Sequence, residues 1–130
     1  MYQAIIAKVI QLAGTLNMPS FVIEYGESLM QQIDSDSLMD KVFEGAKASG
    51  HFPTEAIKLR IEPRPKFRLH DKYKDFLHVS AHILSGRSDE QKTEISNAVL
   101  EPLKTLGLKS VFVSVEIVDI HRASFTEFAC

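Results

Sequence analysis

Met18-Pro19-Ser20-Phe21-Val22-Ile23-Glu24-Tyr25 is a methionine, a proline and a short run of β-forming residues, closed by Gly26. Proline fixes its own φ and has no amide N–H, so the first position of a strand suits it. The run after it fits a pleated, half-buried surface and predicts a first strand over residues 19–25, ended by Gly26. The same stretch has a second, chemical reading. An internal proline nitrogen is an amide without basicity, whereas an amino-terminal proline is a secondary amine that titrates. Pro19 becomes that amine only if Met18 is the start and is then removed.

Upstream, Ala4, Ile5, Ile6, Ala7, Val9, Ile10, Leu12 and Ala13 are apolar around most of a helical circumference. They predict a helix over residues 2–13 with Gly14 as its stop. Such a helix needs a surface to dock on; the other reading of residues 1–17 is upstream sequence included through a misassigned start. Residues 18–130 form the domain proper.

Downstream, Asp34 or Ser35 can cap a helix over residues 36–49, where Leu38, Val42 and Ala46 recur every fourth position. Gly50 stops it, and Gly50-His51-Phe52-Pro53 is a turn. Residues 56–63 predict a second strand, with Ile57, Leu59 and Ile61 on one face and Lys58, Arg60 and Glu62 on the other. A polar loop leads to a third strand over 76–84. Ser88 and Gln91 have the spacing of a capping box, with Asp89 and Glu90 suited to a first helical turn. The helix they open has an apolar face of Ile95, Ala98, Val99, Leu103 and Leu106; Pro102 should kink it or end its regular part. Residues 110–120 are the most strongly β stretch, and the tail from 121 is irregular. The order strand, helix, strand, then strand, helix, strand is a duplicated βαβ unit of the α/β (α+β) class, each half with parallel strands and a right-handed crossover.

The 130 residues suffice for one hydrophobic core, and 45% hydrophobic with 25% charged residues is ordinary for a globular chain. A net charge of -2 argues against general nucleic-acid binding. The single cysteine, Cys130, excludes an intrachain disulfide and a cysteine-rich zinc site, and fits a reducing compartment. No apolar run reaches transmembrane length and no secretion signal is evident, so the expected location is the cytoplasm, away from membranes.

Few constellations suggest chemistry. Lys58 and Arg60 project from one side of the second strand, as a solvated face or as an anion clamp. Residues 58–74 hold seven lysines or arginines against Glu62 and Asp71, an excess suited to a small anionic acid. His78 and His82 would lie about 13 Å apart on a strand, too far to share a metal ion. Arg87 stands between a strand end and a helix start, where a guanidinium and backbone N–H groups could together hold an anion.

With these pieces placed, the chain resembles the tautomerase superfamily, and more closely its 5-carboxymethyl-2-hydroxymuconate isomerase branch. The matching segments are Met18 to Tyr25, Gly50-His51-Phe52-Pro53, Ala56-Ile57-Lys58-Leu59-Arg60, Asp75 to Val79, Gly86-Arg87-Ser88, and Ser114-Val115-Glu116-Ile117. The resemblance spans residues 18–120 and leaves 1–17 without a counterpart. It implies a duplicated βαβ fold with a four-stranded mixed sheet and two helices on one face, here with an N-terminal extension, assembled as a homotrimer. It also implies a cofactor-free, metal-free isomerase acting on an enol dicarboxylate or tricarboxylate in the breakdown of aromatic compounds. The amino-terminal Pro19 would be the base, and Lys58, Arg60 and Arg87 would bind carboxylates beside a pocket wall of Phe52. Lys58 departs from the family, where arginine is usual, and lacks the bidentate fork. Two rivals stand beside this reading: a non-catalytic trimer or ligand-binding module with Pro19 blocked by residues 1–17, and a ferredoxin-like βαββαβ regulatory module.

Overall fold

A computed structural model of the chain describes residues 18–130; the helix expected over residues 2–13 lies outside them. The strands are β1 (Ser20–Gly26), β2 (Lys58–Arg64), β3 (Asp75–Leu84) and β4 (Val111–Ile120). The helices are α1 (Ser35–Ala48) and α2 (Asp89–Lys104). The sheet order is β2-β1-β3-β4, with β1–β2 and β3–β4 parallel and β1–β3 antiparallel. Each half is therefore an unsplit βαβ unit. A ferredoxin-like module places another strand between the two strands of each half, so the direct pairing of β1 with β2 removes that rival.

Alternation decides which face is buried. Phe21, Ile23 and Tyr25 of β1 stand opposite Ala81, Val79 and Leu77 of β3. All six are buried, and together with Leu38, Val42 and Ala46 of α1 and Ile95, Val99 and Leu103 of α2 they form the core. The other sheet face carries polar cross-strand pairs. Arg64 Nε donates to Glu24 Oε2 at 2.7 Å. The His78 ring bridges Ser114 Oγ at 2.7 Å and Glu116 Oε1 at 3.0 Å. Hydrogen bonds from His78 and Ser80 hold the Glu116 carboxyl below its usual range. Among the described residues no three His, Cys, Asp or Glu side chains are grouped to hold a metal ion, and no helix is long and apolar enough to cross a membrane.

The helix starts follow local chemistry. Asp34 caps α1 by accepting from the Ser37 amide at 2.8 Å. Ser88 and Gln91 form the full capping box of α2. Several boundaries differ from the sequence reading. Strand β2 begins at Lys58 because Thr54–Ala56 wind into a 3-10 turn after Pro53. It also runs through Pro63, which an edge strand tolerates because one side of its ladder needs no donor. A further 3-10 turn, Glu27–Gln31, buries Leu29 beneath the core. Helix α2 continues through Pro102 and ends two residues later at Lys104, close to where the proline was expected to end its regular part.

Pro102 has no N–H for the Ala98 carbonyl four residues back, and α1 closes on α2 at that point. A Cβ on Gly45 would lie 2.6 Å from the Ala98 carbonyl oxygen and 2.7 Å from Val99 Cα. Both are backbone atoms and cannot swing aside. Gly45→Ala gains helix propensity, yet it should destabilise the protein by about 1–3 kcal/mol because the helices must separate. A lower urea midpoint at unchanged m-value is the expected result; an equal or higher midpoint would refute the close crossing.

Candidate active site

The β1–β3 register sets Ser20 opposite His82, which brings Pro19 to the end of β3. The strand start and strand end face one another there, and a cavity of about 350 Å³ opens between them. Pro19, Phe52 and Arg87 all line it, together with Met18, His51, Ile83, Leu84, Gly86, Gln91 and Arg122. Three of the five residues singled out in the sequence thus meet in one place, although 33 and 35 positions separate consecutive members.

Each is held by a different device. The Pro19 carbonyl accepts from the Lys58 amide at 3.1 Å, which extends the β1–β2 ladder by one residue. Phe52, in the turn after α1, meets Phe21 edge-on, with ring centroids 6.0 Å apart and planes at 81°. This joins the cavity wall to the core. Arg87 follows Gly86, whose φ of 127° is a conformation that side-chain-bearing residues rarely adopt. The Arg87 guanidinium lies 4.9 Å from the centre of the Phe52 ring and donates to the His51 carbonyl at 3.2 Å. A cation over an aromatic face is attracted by the ring quadrupole. His51 Nε2 is hydrogen-bonded with Glu94 Oε2 at 3.0 Å, which ties the turn to α2.

The electrostatics favour an anion. Burial lowers the pKa of Arg87, and the nearby Arg122 guanidinium lowers it further. No acidic group offsets either effect, so among the described residues the charged form lacks a negative partner. The start of α2 contributes less than its sequence suggested. The capping box uses the amides of Ser88 and Gln91, at 2.9 and 3.2 Å, so these two N–H groups are already satisfied.

Lys58 and Arg60 do not line this cavity. They border a separate depression of about 80 Å³ with Ser20, Phe21 and Leu59 on the β2 edge of the sheet. Lys58 Nζ donates to the Ala56 carbonyl at 3.3 Å, and burial lowers its pKa while Glu127 opposes the shift. Arg60 Nε lies 3.6 Å from Glu62 Oε1. Within one subunit, then, two of the expected cations stand apart from Pro19.

Gln91 and Arg122 line the cavity and were missed in the sequence. Gln91 was read only as a cap, and Arg122 falls in a tail with no periodicity to mark it. His51 belongs to a matching segment, but the sequence reading gives it no role.

The family model for 5-carboxymethyl-2-hydroxymuconate isomerase matches residues 19–123. The chain is 26% identical over 111 residues to 5-carboxymethyl-2-hydroxymuconate Delta-isomerase of Escherichia coli, covering 80% of this chain and 88% of that one. Among solved structures, a 5-carboxymethyl-2-hydroxymuconate isomerase from Deinococcus radiodurans R1 superposes with a TM-score of 0.72 at 24% identity, covering 87% and 90% of the two chains. A fused 4-OT wild type described as a symmetric trimer shares the fold at a TM-score of 0.59 and 14% identity, covering 78% and 85%.

Proposed function

The chain belongs to the 5-carboxymethyl-2-hydroxymuconate isomerase family, which makes it an isomerase of the tautomerase type, and from that premise we propose that it moves a proton on an unsaturated keto- or enol-carboxylic acid, without a cofactor, using the nitrogen of an amino-terminal Pro19. The observation that carries this reading is the meeting of Pro19, Arg87 and Phe52 in one cavity. A terminal amine has a reference pKa of about 7.7–8.0, and neighbouring cations lower it toward neutrality. Such an amine is free base in useful amount at neutral pH. It can take a proton from the hydroxyl of a dienol and return it to a carbon further along the conjugated system. As that proton leaves, negative charge spreads over the dienolate and the attached carboxylate. Arg87 is placed to hold the carboxylate and to stabilise the added charge. Phe52 supports the guanidinium and keeps one wall of the site dry.

The proposal concerns the chain that begins at Pro19. When residue 18 precedes it, the Pro19 nitrogen is an amide, and Met18 is itself buried against the cavity. That 130-residue form has no base at this atom and corresponds to the non-catalytic alternative. The family match beginning at residue 19 favours the catalytic form.

Lys58 and Arg60 enter through assembly. They stand on an edge strand, where a neighbouring copy can approach, and a homotrimer would let them serve a neighbour's cavity. Lysine at 58 would then supply charge without the fork, and a weaker grip on carboxylate is expected.

A solvent-isotope experiment tests the reaction. The chain beginning at Pro19 should accelerate ketonisation of phenylenolpyruvate in deuterium oxide and place one deuterium stereospecifically at the carbon that is protonated. Product that is racemic at that carbon, formed at the buffer rate, would overturn the proposal.

A further inference from the structure

Arg122 belongs to none of the matching segments, and its position in the cavity was not anticipated. We propose that Arg122 is a second carboxylate-holding residue of the Pro19 cavity, so that the site prefers dianionic acids to monoanionic ones. The inference deepens the reading of this cavity as an anion site and rests on it.

Geometry fixes Arg122 relative to Arg87. Its Nε and Nη2 both donate to the Ser85 carbonyl, at 3.0 and 2.9 Å. Ser85 precedes Gly86 and Arg87, so the two guanidiniums are anchored to the same turn. Gly86 lies between Ser85 and Arg87 in the chain, and a Cβ there would be in ordinary contact with Arg122 Nη2 at 3.7 Å, which places that guanidinium against the turn. Among the described residues the other amino group of Arg122 has no acceptor, so it can donate to a ligand.

The charges are uncompensated. Among the described residues neither Arg87 nor Arg122 has a carboxylate within 4.0 Å, whereas Arg64, Lys92 and Lys104 each have one. Glu94 of α2 is engaged by His51. Two like charges on one cavity wall repel each other, and one anion relieves that only in part. A ligand with two carboxylates can place one on each guanidinium, where charge-assisted bonds are strongest. A monocarboxylate leaves one cation unanswered.

The test uses a matched pair of six-carbon dienoic acids, trans,trans-muconate with two carboxylates and sorbate with one. Binding is measured by calorimetric titration of the full 130-residue chain, because holding an anion does not require a free Pro19 amine. The wild type should bind muconate about tenfold more tightly than sorbate, since one charge-assisted bond is worth that much. Arg122→Gln should raise the muconate Kd about tenfold and leave sorbate within about twofold. Arg122→Lys, which keeps the charge, should recover part of the preference. A wild type without preference for muconate overturns the proposal, even if Arg122→Gln fails to fold. So does an Arg122→Gln protein that loses both ligands equally, because that marks a clasp for the Ser85 turn only. If the preference depends on Arg122 but the chain beginning at Pro19 does not ketonise its substrate, the proton-transfer reading fails and the anion site stands. If turnover is present and the preference ignores Arg122, only the present proposal falls.

Discussion

The chain beginning at Pro19 is expected to ketonise phenylenolpyruvate faster than the chain retaining residues 1–18, by about 10²–10⁴-fold, the usual contribution of a positioned general base. The two proteins share Arg87 and Phe52. The short one lacks Met18, which lines the cavity in the long one, and its residue-19 nitrogen is a secondary amine rather than an amide. Pro19→Ala in the short chain separates basicity from placement. It keeps a terminal amine but loses the ring that fixes φ and restricts the nitrogen's direction. Its rate should fall between the other two. The Pro19 carbonyl bond from the Lys58 amide, at 3.1 Å, survives all three changes, so the strand should remain in place. Initial rates followed by loss of enol absorbance decide the matter. Equal rates for the short chain, its alanine variant and the long chain would end the proline-base mechanism.

Arg87→Gln in the short chain should lower kcat/KM by about 10²–10³-fold, as removal of one preorganised oxyanion donor does. It should also move the pH profile, and the sign can be derived. A guanidinium near the Pro19 amine disfavours its ammonium form and lowers its pKa. Removing that charge raises the amine pKa. The acid limb of the profile, which follows appearance of the free base, should therefore shift to higher pH. Arg87→Lys should keep the limb near its original place while still losing rate, because lysine retains charge but not the fork. A variant with unchanged kcat/KM and an unchanged acid limb would show that Arg87 does not face the base. A simple folding defect would lower the amplitude at every pH without moving the limb.

Some of this was legible in the sequence and some was not, for identifiable reasons. The alternation of Leu77, Val79, Ala81 and Ile83 marked β3, and the structure buries all four. The Leu38, Val42 and Ala46 spacing marked the inner stripe of α1, and Ser88 with Gln91 marked the start of α2. These signals are local, and local patterns survive in any chain that folds this way. Arg87 could be noticed because it sits between two such patterns. Arg122 could not, because its place depends on where β4 ends relative to the Ser85 turn, a long-range register that no local pattern reports. Lys58 and Arg60 show the converse. Their alternation on β2 was read correctly, but a strand face says nothing about which cavity it borders. The 3-10 turn at Glu27–Gln31 was also missed, since one buried residue, Leu29, has no period to reveal it.

The antiparallel pairing of β1 with β3 has a consequence for how many reactive centres one subunit can carry. That pairing relates the two halves by an approximate two-fold rotation, so the Pro19 cavity has a twin at the opposite end of the sheet. The twin is an opening of about 420 Å³ bordered by Ser28, Gln32, Lys74, Asp75, Lys109 and Ser110. Lys74 precedes β3 there as Pro19 precedes β1. Its nitrogen is mid-chain, and its N–H is tied to the Ser110 carbonyl at 2.8 Å. Duplication copied the scaffold at both ends, but a polypeptide has a single amino terminus. A reaction that depends on a terminal amine is thereby limited to one centre per chain, at one end of a nearly symmetric sheet.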